Sequence, residues 1–168
     1  AFLRGAARVL CIGAPDERLT YARRMGAHDT LNFCQHSVAE RADWVLQHTD
    51  GRGADVTIEC TGAPVGVTEA MRFTRDAGRV VIVGQYTDHG ETSFNPHLDL
   101  NRKHLDVRGC WGSDYSHFHR AVEMLRNLRA AALWSNLKLE RYTLSQVNEA
   151  LEDVAAGRTI KAVILPTT

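Results

Sequence analysis

Residues 78–84 read Gly-Arg-Val-Val-Ile-Val-Gly, and this stretch decides the fold. Residues 80–83 are all apolar, and a glycine stands at either end of the stretch. An unbroken apolar run rich in β-branched residues is typical of a strand buried on both faces, as strands are in a parallel sheet. The preceding Asp76-Ala77-Gly78 predicts a turn into this strand, and Gly84 ends it.

Upstream, short apolar runs alternate with amphipathic helical segments. Strands are predicted at residues 9–12, 30–33 and 54–60. Helices are predicted to begin at Asp16, after Ser37 and at Pro64. Ser37 and Glu40 stand at the spacing of a capping box, and Gly26 is expected to end the first helix.

Downstream, residues 85–96 predict a polar loop and residues 105–111 a further strand. Ser116 is expected to cap a helix with an apolar inner side made of Ala121, Val122, Met124, Leu125 and Leu128. A strand near residues 141–144, a helix over 145–156 ended by Gly157 and a last strand at 160–165 follow. Strands that alternate with amphipathic helices predict an α/β fold with a parallel sheet.

Composition excludes several classes of function. The 168 residues carry 20 Lys and Arg against 20 Asp and Glu, a net charge of zero. This balance gives no general attraction to nucleic acid or to an anionic membrane. No apolar run is long enough to span a bilayer, and no signal or transit segment is expected.

The four cysteines, at positions 11, 34, 60 and 110, form no C-x-x-C pair. This spacing predicts reduced, mostly buried thiols in a cytoplasmic protein rather than a zinc site or a disulfide framework. His117 and His119 are two residues apart and would point to different faces of a helix, so no metal ligands are predicted.

A ligand cleft is predicted where the strands end. In an open parallel sheet, ligands bind beyond the carboxyl ends of the strands. Glycine follows an apolar run at residues 13–15, 60–62, 83–85 and 109–112, where the backbone can approach a flat ligand closely.

Several motifs together resemble the medium-chain dehydrogenase/reductase superfamily, and within it the zinc-dependent alcohol and polyol dehydrogenase branch. They are GAARVL (5–10), ERL (17–19), GRGADV (51–56), ECTG (59–62), GRVVIVG (78–84), LDLNRKHLDVRG (98–109), SHFHRAV (116–122), LSQVNEAL (144–151) and GRTIKAVIL (157–165). The resemblance covers essentially the whole chain. It implies a Rossmann-type doubly wound parallel sheet with a C-terminal return segment.

The resemblance also implies that part of such an enzyme is not present here. Family members begin with a catalytic domain that holds the zinc ligands, followed by the first Rossmann strand and its glycine-rich turn. Residues 1–132 would then be a partial NAD(P)-binding Rossmann domain with a gap in its sheet. Residues 133–168 would pack toward the catalytic domain. The chain alone is expected to hold no zinc and to lack activity.

Roles in cofactor binding follow from the resemblance, residue by residue. It implies that Arg18 lies beside the adenosine ribose, and that Cys60, Thr61 and Gly62 flank the adenine side. The nicotinamide side would be lined by Val83, Gly84, Gln85, Gly109, Cys110 and Trp111, and Lys161 would lie near the pyrophosphate. Gly13 replaces the aspartate that grips the ribose hydroxyls in NAD-dependent members, so either NAD or NADP is expected.

The implied reaction is hydride transfer between the nicotinamide and an alcohol or ketone that zinc polarises as a Lewis acid. A zinc-free quinone or enoyl reductase of the same superfamily, a non-catalytic dinucleotide-binding module and a methyltransferase remain alternatives. The family further implies a homodimer or tetramer that pairs through an apolar edge strand at residues 105–111. No catalytic residue is predicted within the chain.

Overall fold

The computed structural model describes residues 1–127, 132–136 and 139–166. The chain forms two compact units, one made of Ala1–Asn32 with His119–Thr168 and the other of Phe33–Phe118. These units follow contacts within the chain. The functional boundary predicted at residues 132 and 133 remains a prediction.

Strands alternate with helices along the described residues. The strands are β1 (Leu10–Gly13), β2 (Asp29–Asn32), β3 (Ala54–Glu59), β4 (Thr74–Ile82), β5 (Asp106–Gly109), β6 (Glu140–Thr143) and β7 (Ala162–Leu165). The helices are α1 (Asp16–Arg24), α2 (Val38–Gln47), α3 (Pro64–Phe73), α4 (Tyr115–Leu125) and α5 (Val147–Ala155).

Every strand pairing is parallel. β1 pairs with β2, β6 pairs with β7, and β3, β4 and β5 form a three-stranded sheet in that order. The α/β fold with parallel sheets is therefore confirmed. In the described part of the chain β1 and β3 each pair with one strand only. Val56 and Ile58 on β3 are each 51% exposed.

The core of the second unit lies between α3 and the three-stranded sheet. Ala70 and Met71 of α3 are buried against Val80, which is fully buried in β4. Val67, Ile82, Leu105 and Val107 pack around them. The apolar run that decides the fold is thus the centre of this core.

The turn predicted at residues 76–78 lies inside β4. This strand begins at Thr74, and its pairing with β3 shifts register between Ala54 and Val56. Ala77 adopts a φ of 53°, so the residues before Arg79 bulge out of the strand. The prediction of a strand that starts at Arg79 was therefore too short.

Ser116 does not cap α4, which begins one residue earlier, at Tyr115. Asp114 performs this role, because its carboxylate accepts hydrogen bonds from the Ser116 hydroxyl at 2.6 Å and the His117 amide at 3.1 Å. The predicted inner side is also wrong where it is described, since Ala121, Val122, Met124 and Leu125 are exposed. Leu128 lies outside the described residues.

The prediction of mostly buried thiols was wrong as well. Cys34, Cys60 and Cys110 are exposed, and Cys11 is half-buried. Cys60 and Cys110 each follow the end of a strand, where the chain leaves the core. All four cysteines are described, and none forms a disulfide bond. Burial raises the pKa of the Cys11 thiol.

Candidate functional site

The carboxyl ends of β3, β4 and β5 meet at one edge of the three-stranded sheet. The Glu59 carbonyl at the end of β3 accepts hydrogen bonds from the amides of Val83 at 2.9 Å and Gly84 at 3.0 Å. The Cys110 amide donates to the Ile82 carbonyl at 2.9 Å. Three of the segments predicted to line the cofactor are therefore neighbours.

Two glycines allow the first two of these segments to touch. A Cβ atom on Gly84 would lie 2.5 Å from the Gly62 amide nitrogen and 2.7 Å from the Thr61 amide nitrogen. Gly62 has a φ of +74°, which glycine adopts without strain. The main chain of residues 60–62 thus packs directly against that of residues 83–85, and this contact is called the junction below.

An aromatic pair lies beside the junction. The rings of Tyr86 and Trp111 have centroids 5.8 Å apart, and the Trp111 indole donates to the Tyr86 carbonyl at 3.4 Å. Both side chains are largely exposed, Trp111 by 78%. A flat apolar surface is thus open to a ligand at the end of β5.

Glu59 is a buried residue of the junction that the sequence reasoning did not select. Burial opposes ionisation of its carboxyl group, but interactions with the Thr61 hydroxyl, the Thr61 amide, the Gln85 side chain and the Gly62 amide outweigh burial and lower its pKa. The sequence did contain a pattern that indicates a role for Glu59. A glutamate that ends an apolar strand and precedes a Thr-Gly turn must be paired when buried.

A cavity of about 410 Å³ opens next to Gln85. The first turn of α3 lines one side through Pro64 and Val67, and the polar segment that follows β4 lines the other through residues 85–90 and Thr92. The cavity therefore extends the predicted nicotinamide side with polar groups.

Gly13 and Arg18 lie in the first unit, at the end of β1 and in the first turn of α1. A Cβ on Gly13 would approach Leu19 Cδ2 to 3.3 Å, a tight contact that the end of the Leu19 side chain must relieve by a small shift. The turn between them is fixed because the side-chain amide of Asn32 donates a hydrogen bond to the Asp16 carboxylate at 2.8 Å. Arg18 is exposed on this ordered turn.

Lys161 stands immediately before β7 and is exposed. Its carbonyl accepts a hydrogen bond from the Glu140 amide at 3.2 Å, which ties the backbone at this position to β6. The side chain of Lys161 is thus presented from a fixed backbone.

The described residues contain no group of three or more His, Cys, Asp or Glu side chains arranged to hold a metal ion. Among the same residues, no helix combines the length and the apolar character needed to cross a membrane.

Comparison with known proteins gives a consistent result. The family model described as "Zinc-binding dehydrogenase" matches residues 1–127. The chain is 29% identical over 160 residues to 5-exo-hydroxycamphor dehydrogenase of Pseudomonas putida, covering 95% of this chain and 44% of that protein. It is 31% identical over 124 residues to sorbitol dehydrogenase 1 of Saccharomyces cerevisiae, covering 72% of this chain and 34% of that protein.

A similar fold is found in a solved alcohol dehydrogenase from Thermotoga maritima. The TM-score is 0.87 at 31% sequence identity, and the match covers 97% of this chain and 44% of that one. The chain thus spans less than half the length of these relatives.

Proposed function

Since the chain belongs to the zinc-binding dehydrogenase family, we propose that it is the NAD(P)-binding part of an alcohol or polyol dehydrogenase. The observation that carries this proposal is the junction of β3, β4 and β5, where Gly62 and Gly84 bring two strand ends into backbone contact. Dinucleotides bind beyond the strand ends of such sheets.

The residues of the junction suit a dinucleotide. Gly62 and Gly84 let a ligand approach the main chain of residues 60–62 and 83–85 closely. The amides of Thr61, Gly62, Val83 and Gly84 already donate to Glu59, so the cofactor would contact the remaining backbone groups of these segments. The bound cofactor supplies the hydride donor or acceptor at C4 of its nicotinamide, and Trp111 offers an apolar surface beside that ring. Gly109 and Cys110 complete this side as the end of β5. The residues named here hold and orient the cofactor.

Two positive charges of the first unit are further candidates for contact with the cofactor, as the family resemblance implies. Arg18 would lie beside the adenosine ribose and Lys161 near the pyrophosphate. An exposed ammonium on a fixed backbone acts as a point charge toward phosphate oxygens. Neither residue takes part in the chemistry.

Zinc does not fit the residues described here, because they offer no ligand group. We propose that the complete protein binds zinc through residues outside this chain. The alcohol or ketone would be selected there as well.

Three further properties belong to this proposal. Gly13 carries no carboxylate that would repel a 2′-phosphate, so the protein would use NAD or NADP with weak discrimination. Cysteines without disulfide bonds suit a cytoplasmic protein. The unpaired edge of β5 would join two copies into a homodimer, or two dimers into a tetramer.

Lys161→Ala in the complete protein tests the proposal. A charged contact to a pyrophosphate contributes on the order of 1–3 kcal/mol, so the Kd for the cofactor should rise about 5- to 100-fold. Substrate affinity at saturating cofactor should change little. Fluorescence titration with NADH and NADPH measures the effect, with the exposed Arg126→Ala as control. An unchanged Kd would make Lys161 a solvated surface residue.

A further inference from the structure

Glu59 is a carboxylate buried where β3 leads into α3, and only 3% of the residue is exposed. Its oxygen Oε1 accepts hydrogen bonds from the Thr61 amide at 2.5 Å, the Thr61 hydroxyl at 2.6 Å and the Gly62 amide at 3.2 Å. All three donors belong to the turn at residues 60–62. The Glu59 side chain therefore fixes the backbone of this turn.

The Thr61 hydroxyl extends the network into α3. It donates to Glu59 and accepts a hydrogen bond from the Ala63 amide at 3.1 Å, one residue before the helix begins. Gly66 leaves room for this arrangement, because a Cβ there would lie 2.6 Å from the Thr61 hydroxyl and 3.3 Å from Glu59 Oε1. Linked hydrogen bonds strengthen one another, so the turn and the start of the helix are held together.

The main chain of Glu59 holds the neighbouring strand end. Its carbonyl oxygen accepts the hydrogen bonds from Val83 and Gly84 described above. One residue thus orders both segments whose backbones meet at Gly62 and Gly84.

Stability alone does not account for a carboxylate at this position. Burial of a charge carries a desolvation cost. The second oxygen of Glu59, Oε2, and Nε2 of Gln85 are both buried without a hydrogen-bond partner of normal geometry, although the Gln85 side chain helps to lower the pKa of Glu59. An apolar side chain would avoid this cost. It could not accept three hydrogen bonds at one point and so could not define the turn.

We propose that Glu59 is a positioning residue for the dinucleotide, an inference that rests on the function proposed above. Its ionised carboxylate keeps residues 60–62 in the conformation that contacts the cofactor, and it touches no reacting atom. When the charge is removed, the amide oxygen that replaces it is a weaker acceptor. The turn then relaxes, and the cofactor binds less tightly while the chemical step keeps its rate.

Glu59→Gln in the complete protein tests this role. The Kd for NADH or NADPH, whichever binds more tightly, should rise about 3- to 10-fold, because charged hydrogen bonds become neutral ones. The KM for the cofactor should rise by the same factor, with kcat and the KM for the alcohol unchanged. Thr61→Val, which removes a donor of the same network, should have a similar effect. The double variant should bind no worse than the weaker-binding single variant.

Glu69→Gln is the matched control. Glu69 lies in the same unit, its side chain is 15% exposed, and it pairs with Arg41 of α2 at 2.6 Å. Neither residue of this pair is a predicted cofactor residue. The Glu69→Gln variant should lower Tm at least as much as Glu59→Gln does, and it should leave the Kd for the cofactor unchanged. Should Glu59→Gln fail to fold, Thr61→Val decides the question.

Two results would overturn the inference in different ways. Wild-type Kd values in both Glu59→Gln and Thr61→Val would make Glu59 a stabilising residue only, and the proposed function would stand. Failure of the wild-type protein to bind either dinucleotide would remove the proposed function, and the inference with it.

Discussion

At the scale of single residues, the junction depends on Gly84. The Gly84→Ala methyl group would meet main-chain atoms of Thr61 and Gly62, which cannot rotate away as a side chain can. We expect a loss of about 1–3 kcal/mol in the free energy of unfolding, the usual cost of overpacking, with weaker cofactor binding in the complete protein. Urea unfolding measures the loss.

Gly109→Ala is the control for this steric effect. No atom lies within 4 Å of a Cβ placed on Gly109, and its backbone needs no positive φ. Its free energy of unfolding should stay within about 0.5 kcal/mol of the wild type. If both alanine variants were equally stable, the close approach at Gly84 would be contradicted.

Gly13 offers a second prediction at this scale, on the choice of nucleotide. An aspartate there can bind ribose hydroxyls and repels a 2′-phosphate. The nearest obstacle is the flexible end of Leu19, so Gly13→Asp should fold. We expect kcat/KM to shift toward NAD by about 1–3 kcal/mol, the scale of one charged hydrogen bond.

The ratio of kcat/KM for NAD to kcat/KM for NADP, measured in the complete protein, checks this shift. Ala39→Asp adds the same charge to the exposed first turn of α2 and should leave the ratio unchanged. An unchanged ratio in Gly13→Asp would show that Gly13 does not face the ribose.

At the scale of elements, a polar contact joins β6 to α5. The Tyr142 hydroxyl donates to the Asp153 carboxylate at 2.6 Å, and Arg158 pairs with the same carboxylate at 2.7 Å. The hydrogen bond to Asp153, then burial and nearby negative charge, raise the pKa of Tyr142 to about 12. The folded state therefore holds the Tyr142 proton more tightly than the unfolded state does.

This difference predicts alkaline destabilisation. The contribution of Tyr142 is complete below pH 10, the ordinary tyrosine pKa, and is lost as the pH rises from about 10 to 12. Tyr142→Phe should be less stable at pH 8 and lose stability less steeply above pH 10. Denaturant unfolding from pH 8 to 12 tests this, with Tyr115→Phe at an 81% exposed position as control. Identical slopes in Tyr142→Phe and wild type would contradict it.

Local sequence patterns predicted most of the helices and strands. The features that were not predicted have physical causes. The Ser37–Glu40 capping box and the left-handed Gly26 and Gly157 lie where the sequence places them. Pro96–Asn101 was missed, because its helical turns are stabilised by the Asn95 side chain rather than by an apolar stripe. The end of β3 was predicted, but Glu59 was not selected, because its position before a Thr-Gly turn indicates a paired carboxylate and not which groups it holds.

At the scale of the whole molecule, the sequence predicted which strand ends carry the candidate site, but not the character of the outer edge. Residues 105–111 were expected to form an apolar edge. The strand is Asp106–Gly109, and its Asp106 and Arg108 side chains, 41% and 59% exposed, pair at 3.0 Å. Such charges limit nonspecific pairing at an edge. The alternation of apolar residues along the pleat predicts a strand. It does not show that the charged residues between them, Asp106 and Arg108, pair with each other on the edge strand.

These charges sharpen the prediction for the proposed dimer. When two copies of β5 pair antiparallel about a two-fold axis at Val107, Asp106 of one copy lies opposite Arg108 of the other. Opposite charges directly across a strand pair are favourable, and like charges are not.

The complete wild-type protein should sediment as a dimer or tetramer at micromolar concentration. Arg108→Glu should dissociate it along this edge. Arg126→Glu, an equal charge change at the exposed residue that follows α4, should leave assembly intact. A monomeric wild type, or an Arg108→Glu variant that assembles as the wild type does, would place the interface elsewhere.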